Sequence, residues 1–411
     1  MEKIIEYILE NQRISYETLR LVASENLPSI DERIPYLMDL FARYVFTGNE
    51  NWSYPSYYLG EIEQRTIDLL GKLLQCKYIN IKPISGLSGM MTTISSFSKV
   101  GDIVMSLHPN DGGHGDTSSI IYNLGLQSEY LPFNKDTWQI DIEALKAYVN
   151  LDKIRMVYLD LCMVTFPQPV QELKKVLNPG TILVYDASHV LGLIAGGYFQ
   201  NPIAEGADII IANTHKTFPG PHKAVFCTNR KILKMQFDES CNEFISHNHI
   251  ADIACLGMIL EKRSAKWFSQ YAQTVIKNAQ ILAKHLNNVG VHVQLKHLGY
   301  TASHQIWIEC GDRKNVDDIV NICSKYNIIV NGTGIPSING KWGIRIGVQE
   351  ITRKTMSENA LKTIAEIIAE IILNHDLSSE GIQKKDNLMK NYFQDNIEKR
   401  KINQIIKILL N

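Results

Sequence analysis

Lys216 stands in Asn213-Thr214-His215-Lys216-Thr217, just after the apolar run Asp208-Ile209-Ile210-Ile211. A lysine that follows a buried strand faces the crevice where α/β sheets hold ligands. Partial desolvation lowers its amine pKa and makes it a nucleophile for a carbonyl. By itself it is more often a solvated lysine. Asp186 closes Ile182-Leu183-Val184-Tyr185, thirty residues before Lys216, and His189 follows it. One helix and one strand fill that interval, so both residues can reach neighbouring strand ends. A carboxylate there can keep a pyridinium nitrogen protonated, although capping a helix is the commoner task for an aspartate. Ser85-Gly86-Leu87-Ser88-Gly89 lies between a short strand and a helical stretch. Its glycines would let backbone amides approach a phosphate at a helix N-terminus, and on its own it is an ordinary turn. Amine, carboxylate and phosphate loop together describe a site for pyridoxal 5′-phosphate (PLP).

The elements that must position these groups follow from hydrophobic patterning. Short, nearly continuous apolar runs recur at Tyr78-Ile79-Asn80-Ile81, Asp102-Ile103-Val104-Met105, Met156-Val157-Tyr158-Leu159, Thr181-Ile182-Leu183-Val184-Tyr185, Asp208-Ile209-Ile210-Ile211 and Ala224-Val225-Phe226-Cys227. Such runs suit strands buried on both faces of a mostly parallel sheet, and the helical stretches between them give an α/β architecture. Residues 61–74 have helical spacing. A long helical region is expected from about Ile250 to Leu286, ending near Gly290. Strand-like Val291-His292-Val293 and Gln305-Ile306-Trp307-Ile308 follow. A helix over Ser357–Leu373 would take Ser357 as its N-cap, and the lysine-rich end over 402–410 reads as an amphipathic helix. The domain boundaries expected are an N-terminal arm 1–30, a large domain 31–279, a small α/β domain 280–375 and a helical tail 376–411.

Composition narrows the function classes. The chain has 411 residues and a formal net charge of −1, which gives no electrostatic reason to expect nucleic acid or an anionic membrane. No apolar run approaches the ~20 residues that span a bilayer. Seven scattered cysteines without a CxxC pair suit reduced thiols, and acidic Met1-Glu2-Lys3-Ile4-Ile5-Glu6 does not resemble a signal peptide, so a cytoplasmic protein is expected.

The order SGxS, DxxH, THK resembles that of serine hydroxymethyltransferase, a fold type I PLP enzyme. Other segments agree over roughly residues 20–370. Leu21-Val22-Ala23-Ser24-Glu25-Asn26 is similar to the family's ASEN motif, and Tyr57-Tyr58-Leu59-Gly60 to YYGG. Gly112-Gly113-His114 is similar to GGH, and Asp186-Ala187-Ser188-His189 with its downstream glycines to DMAHxAGLVAxG. Thr214 to Pro221 resembles THKTLxGP, and Gly343-Ile344-Arg345-Ile346-Gly347 resembles the GIRxG segment. The resemblance implies a fold type I PLP-dependent transferase, with a smaller C-terminal α/β domain and a homodimer with active sites at its interface. It assigns the Schiff-base amine to Lys216, with His215 beside it, and the pyridine-nitrogen partner to Asp186. His189 would lie near the phenolic oxygen, and Ser85, Gly86 and Leu87 at the phosphate. Arg345 and Ser24 would hold the substrate carboxylate, Tyr58 and His114 would work in the active site, and His304 matches a family histidine that could as well be a core residue.

The pattern also breaks. The family's HGGH is Asp111-Gly112-Gly113-His114 here, and an aspartate cannot stack on the cofactor ring, which leaves His114 or another residue for that job. The family's GPR becomes Gly220-Pro221-His222, followed by Lys223. The glycine-rich GGQGG loop becomes Ser246-His247-Asn248-His249. No metal is expected, although Asp111, His247 and His249 could form a metal site if two subunits brought them together. Counting back from the paired tyrosines lands on Glu50 and anchoring on Tyr54-Pro55 lands on Trp52; Glu50 is taken as the catalytic acid/base. The loop at 331–337 is shorter than the family's, which leaves tetrahydrofolate in doubt. The expected activity is making or breaking the Cα–Cβ bond of glycine, serine or threonine, by hydroxymethyl transfer or a folate-independent transaldolase or aldolase reaction with an aldehyde. The alternatives are decarboxylation, racemisation or transamination, or a PLP-binding protein that has lost catalysis and serves as a partner.

Overall fold

The computed structural model describes residues 3–44, 57–336, 341–354, 356–393 and 397–410. The chain divides into two compact units, Ser24–Gln273 and Met1–Ala23 with Thr274–Asn411.

The larger unit is built on seven strands: β1 (Tyr78–Asn80), β2 (Ile103–Ser106), β3 (Gln127–Tyr130), β4 (Ile154–Leu159), β5 (Ile182–Asp186), β6 (Ile209–Asn213) and β7 (Ala224–Thr228). Their order in the sheet is β1-β7-β6-β5-β4-β2-β3. β3, β2, β4, β5 and β6 pair in parallel, while β7 runs antiparallel to both neighbours. Every residue of β2, β5, β6 and β7 is buried, as continuous apolar runs require of strands covered on both faces. β3 departs furthest from this: Gln127–Tyr130 is half-exposed and polar, and lies at the sheet edge. For that reason it carried no strand signal.

One face of the sheet contributes Val104, Met156, Tyr158, Val184, Ile211 and Phe226 to a core completed by Met90, Ile94 and Phe97 from helix Gly86–Phe97 and by Phe237 from helix Lys231–Phe244. Phe226 and Phe237 stack with ring centroids 3.9 Å apart. Truncating such a buried ring to alanine costs about 3–5 kcal/mol. This core fixes the sheet edge at which β2, β4, β5 and β6 end. Because β7 is reversed, Ala224 pairs with Asn213 and the start of β7 lies at the same edge. The chain between them turns back tightly: Thr214 N donates to Lys223 O at 2.9 Å, Gly220 N to Thr214 O at 2.7 Å, and Thr214 Oγ1 to Pro221 O at 2.7 Å.

The long helix expected over 250–286 is two helices, Ile250–Lys262 and Ala265–Asn288. Ser264 separates them, and its Oγ accepts from Trp267 N at 3.2 Å. The second helix ends where Gly290 takes φ +96°, in the left-handed region that favours glycine.

In the other unit, β8 (Gln305–Gly311), β9 (Asn331–Gly334) and β10 (Trp342–Gly347) form an antiparallel sheet in the order β8-β10-β9. The stretch expected as a strand at Val291–Val293 makes only an isolated bridge, Val293 to Ile308. Ser357 caps helix Glu358–Asn374, accepting from Ala360 N at 3.3 Å. Lys3–Glu17 and Ile397–Leu410 are helices. Among the described residues no helix is long and apolar enough to cross a membrane.

Candidate active site

Asp186 is the last residue of β5 and is buried. Its Oδ2 accepts from Tyr158 OH at 2.9 Å and its Oδ1 from Ser188 N at 2.9 Å. The second bond is the local turn that an aspartate commonly makes, so the ordinary use of the residue and its candidate chemistry coexist. Burial, then the neighbouring Asp186, push the Tyr158 phenol well above its usual pKa. At neutral pH it remains a donor. Beyond β6, Lys216 Nζ lies 3.2 Å from His189 Nε2. The two loops are cross-linked: Thr217 Oγ1 donates to His189 O at 2.7 Å, Gly192 N donates to Thr217 Oγ1 at 3.1 Å, and Asn213 N donates to Ser188 Oγ at 3.0 Å.

The Ser85 turn meets the same edge. Ser85 caps helix Gly86–Phe97: its Oγ accepts from Ser88 N at 3.1 Å, while Ser88 Oγ accepts from Ser85 N at 2.9 Å. The helical pattern leaves the N–H groups of Gly86 and Leu87 to be satisfied from outside the helix. Gly86 packs against the end of β6 so closely that a Cβ would fall 2.3 Å from Asn213 Nδ2. A side chain there would have to push the Asn213 amide aside. Gly86, Leu87, His114, Asp186, His189 and Lys216 line one cleft.

The opposite wall rests on Asp160, which directly follows β4. It is buried, and accepts from Leu107 N and from His114 N, both at 2.9 Å. Burial raises its pKa to about 7, against the hydrogen bonds it accepts. Asp160 and Cys162 line the cleft, with Cys162 Sγ 3.9 Å from His189 Nε2. Neither was singled out from the sequence. The available signal was position: Asp160 ends the run Met156–Leu159 just as Asp186 ends its own.

His114 Nδ1 accepts from Asp116 N at 3.3 Å. Asp111 lies 3.7 Å from Lys135 Nζ. His215 stacks on His222, ring centroids 4.0 Å apart. Burial, then His222 and Lys216, lower the His215 pKa to about 3, so this imidazole is neutral at physiological pH. His247 and His249 meet edge to face at 4.8 Å. Among the described residues no three histidine, cysteine or acidic groups are gathered to hold a metal. Tyr58 precedes helix Leu59–Leu74 and is exposed. Ser24 is half-buried at the start of its unit. Glu50 lies outside the described residues. In the other unit, Arg345 is on β10 with Nη2 2.7 Å from Asn331 Oδ1. His304 is fully buried there with Nε2 3.0 Å from Ala23 O.

The serine hydroxymethyltransferase family model matches residues 1–368. The chain belongs to the serine hydroxymethyltransferase family. It is 33% identical over 393 residues to a serine hydroxymethyltransferase of Methanobrevibacter smithii, covering 92% of this chain and 93% of that one. It is 32% identical over 418 residues to one from Staphylothermus marinus, covering 96% and 93%. Among solved structures it is similar to the crystal structure of L-threonine transaldolase from Pseudomonas fluorescens in the internal aldimine state, with TM-score 0.89, 27% identity, and 94% and 90% of the two chains covered. The fold is therefore fold type I. The protein is a PLP-dependent transferase or aldolase-like enzyme that makes or breaks the Cα–Cβ bond of a small amino acid. The site suits that cofactor on its own geometry: a buried acid at one strand end, an amine beyond the next, and a helix N-terminus at Gly86 and Leu87 on the same cleft.

Proposed function

We propose that this enzyme moves a Cβ fragment between a small amino acid and an aldehyde without tetrahydrofolate, with PLP carried on Lys216. The observation that carries the cofactor assignment is Lys216 Nζ beside His189 Nε2 at 3.2 Å, one strand from the buried Asp186. When bound, the cofactor draws electrons from the broken Cα bond into its ring. Asp186, oriented by Tyr158 and Ser188, is the acceptor for a pyridinium proton. Gly86 and Leu87 present backbone N–H groups to the phosphate, where the helix dipole favours an anion. Lys216 Nζ and His189 Nε2 are close enough to exchange a proton. Arg345 would take the substrate carboxylate, the role that the family resemblance gives it and one that suits a planar bidentate guanidinium. Tyr58, Ser24, His114 and Glu50 keep the roles that the family resemblance gives them.

The folate-independent reading is supported by the loss of the family arginine at His222, whose ring is instead stacked on His215, and by the short 331–337 segment. The test incubates the enzyme with glycine, serine or threonine and an aldehyde, with and without tetrahydrofolate, and identifies the products. Threonine-dependent β-hydroxy amino acid formation without folate is expected. Strict dependence on folate would return the protein to hydroxymethyl transfer. A homodimer is supported by the family resemblance, and is checked by mass in solution. A cytoplasmic location is supported by seven free cysteines.

A further inference from the structure

Lys223 is fully buried, a rare state for a lysine. It follows the loop that carries Lys216 and immediately precedes β7. Its Nζ donates to Asn248 O at 2.7 Å, and to Lys82 O and Pro83 O, both at 3.5 Å. Among the described residues no carboxylate lies within ion-pair distance. Asp252 on helix Ile250–Lys262 and Glu63 on helix Leu59–Leu74 act on it from further away, as does the Cys241 thiol on helix Lys231–Phe244. His247, one residue before Asn248, feels the charge in return. Burial lowers the Lys223 pKa to about 8, so the amine is still mostly protonated at pH 7.

A buried cation must be compensated, and here backbone carbonyl dipoles do it. Rings of carbonyls solvate ammonium and potassium alike. The three carbonyls come from two separate segments. Lys82 and Pro83 lead directly into Ser85, and Asn248 lies between His247 and His249. Pro83 O also accepts from Ala224 N at 3.1 Å, and Lys223 O accepts from Thr214 N at 2.9 Å. Lys223 therefore joins the Lys216 loop, the approach to the Ser85 turn and the histidine loop.

We propose that Lys223 is a tethered cation in a carbonyl-lined site, and that it positions the Ser85–Leu87 turn for the cofactor phosphate. The phosphate half of this inference rests on the reading of that turn given above.

The test is the variant Lys223→Ala, which leaves room for a free ion. Affinity for PLP and for pyridoxal is titrated spectroscopically in potassium, lithium or choline chloride at equal ionic strength, and melting of the cofactor-free protein is followed in the same salts. In choline, Lys223→Ala should bind PLP about tenfold more weakly and pyridoxal as wild type does. Potassium, but not lithium, should restore PLP affinity and raise the melting temperature. The wild type should not distinguish the salts. Wild-type PLP affinity in Lys223→Ala, or a loss that no cation relieves, overturns the proposal. If Lys223→Ala does not fold in any salt, Lys223→Gln decides: it keeps a donor without the charge. A wild-type preference for PLP over pyridoxal in that variant overturns the proposal, and a reduced one supports it. The cradle reading is tested separately by Gly86→Ala. An unchanged preference for PLP over pyridoxal there removes the phosphate half, whereas melting of Lys223→Ala that ignores potassium removes the cation site.

Discussion

At the ends of β5 and β6, Asp186, His189 and Lys216 stand on or beside the two loops that follow these strands, and short bonds tie those loops to each other. At the ends of β2 and β4, one buried carboxylate, Asp160, holds the backbone that leads to His114. The first region keeps the DxxH and THK residues of the family pattern. The second carries Asp111 where the family has its ring-stacking histidine. In the first, the hydroxyls of Thr217 and Ser188, each within two residues of a functional group, make the cross-links. In the second, the support is a group that the motifs do not contain. The cofactor can thus be kept by one wall while the other is free to change what the cofactor does.

Four experiments bear on that contrast. Lys216→Ala should abolish the visible absorbance of the bound cofactor and lower kcat/KM on the order of a thousandfold or more. An unchanged spectrum would dissolve the distinction at once. Asp186→Asn should keep the fold and lower kcat/KM on the order of a hundredfold. A loss no larger than that of His114→Ala would make the two walls equivalent.

Asp160→Asn sharpens the second wall through pH. Asp160 has a folded-state pKa of about 7, raised above the carboxylate value of 3.8, so the folded state binds the proton more tightly. That contribution is fully present below the unfolded pKa and is lost as pH rises through about 7. Its size is on the order of 4 kcal/mol at most. His215 works oppositely: its pKa is lowered from 6.5 to about 3, so its contribution is present above 6.5 and lost as pH falls towards 3. Chemical denaturation of the cofactor-free Asp160→Asn protein should show stability climbing more steeply from pH 4 to 6.5 than in wild type, because the opposing contribution is gone. An identical profile would show that Asp160 titrates normally. The smallest effect is expected from His222→Ala. Removing the neighbouring imidazole should raise the His215 pKa while burial keeps it below 6.5, as followed by NMR titration.

The sheet was legible because strands covered on both faces read as unbroken apolar runs. β3 was not, since an edge strand of Gln127–Tyr130 needs no apolar face. The break between Lys262 and Ala265 was hidden because both helices share an apolar period, although Ser264 carried a capping signal. Lys216, Asp186 and the Ser85 turn could be picked out because each sits at a fixed offset from a strand. Asp160 satisfied the same offset but lacked a companion motif. Lys223 could not be read as buried, because its compensation comes from backbone carbonyls, which leave no trace in side-chain identity.

Gly86 has a practical consequence for redesign. Since any Cβ at that position would strike Asn213, libraries aimed at new aldehyde acceptors should hold 86 and 213 fixed as a pair. Diversity is better placed at half-exposed neighbours such as Leu87 and Met91, where new side chains can enter without displacing a strand end.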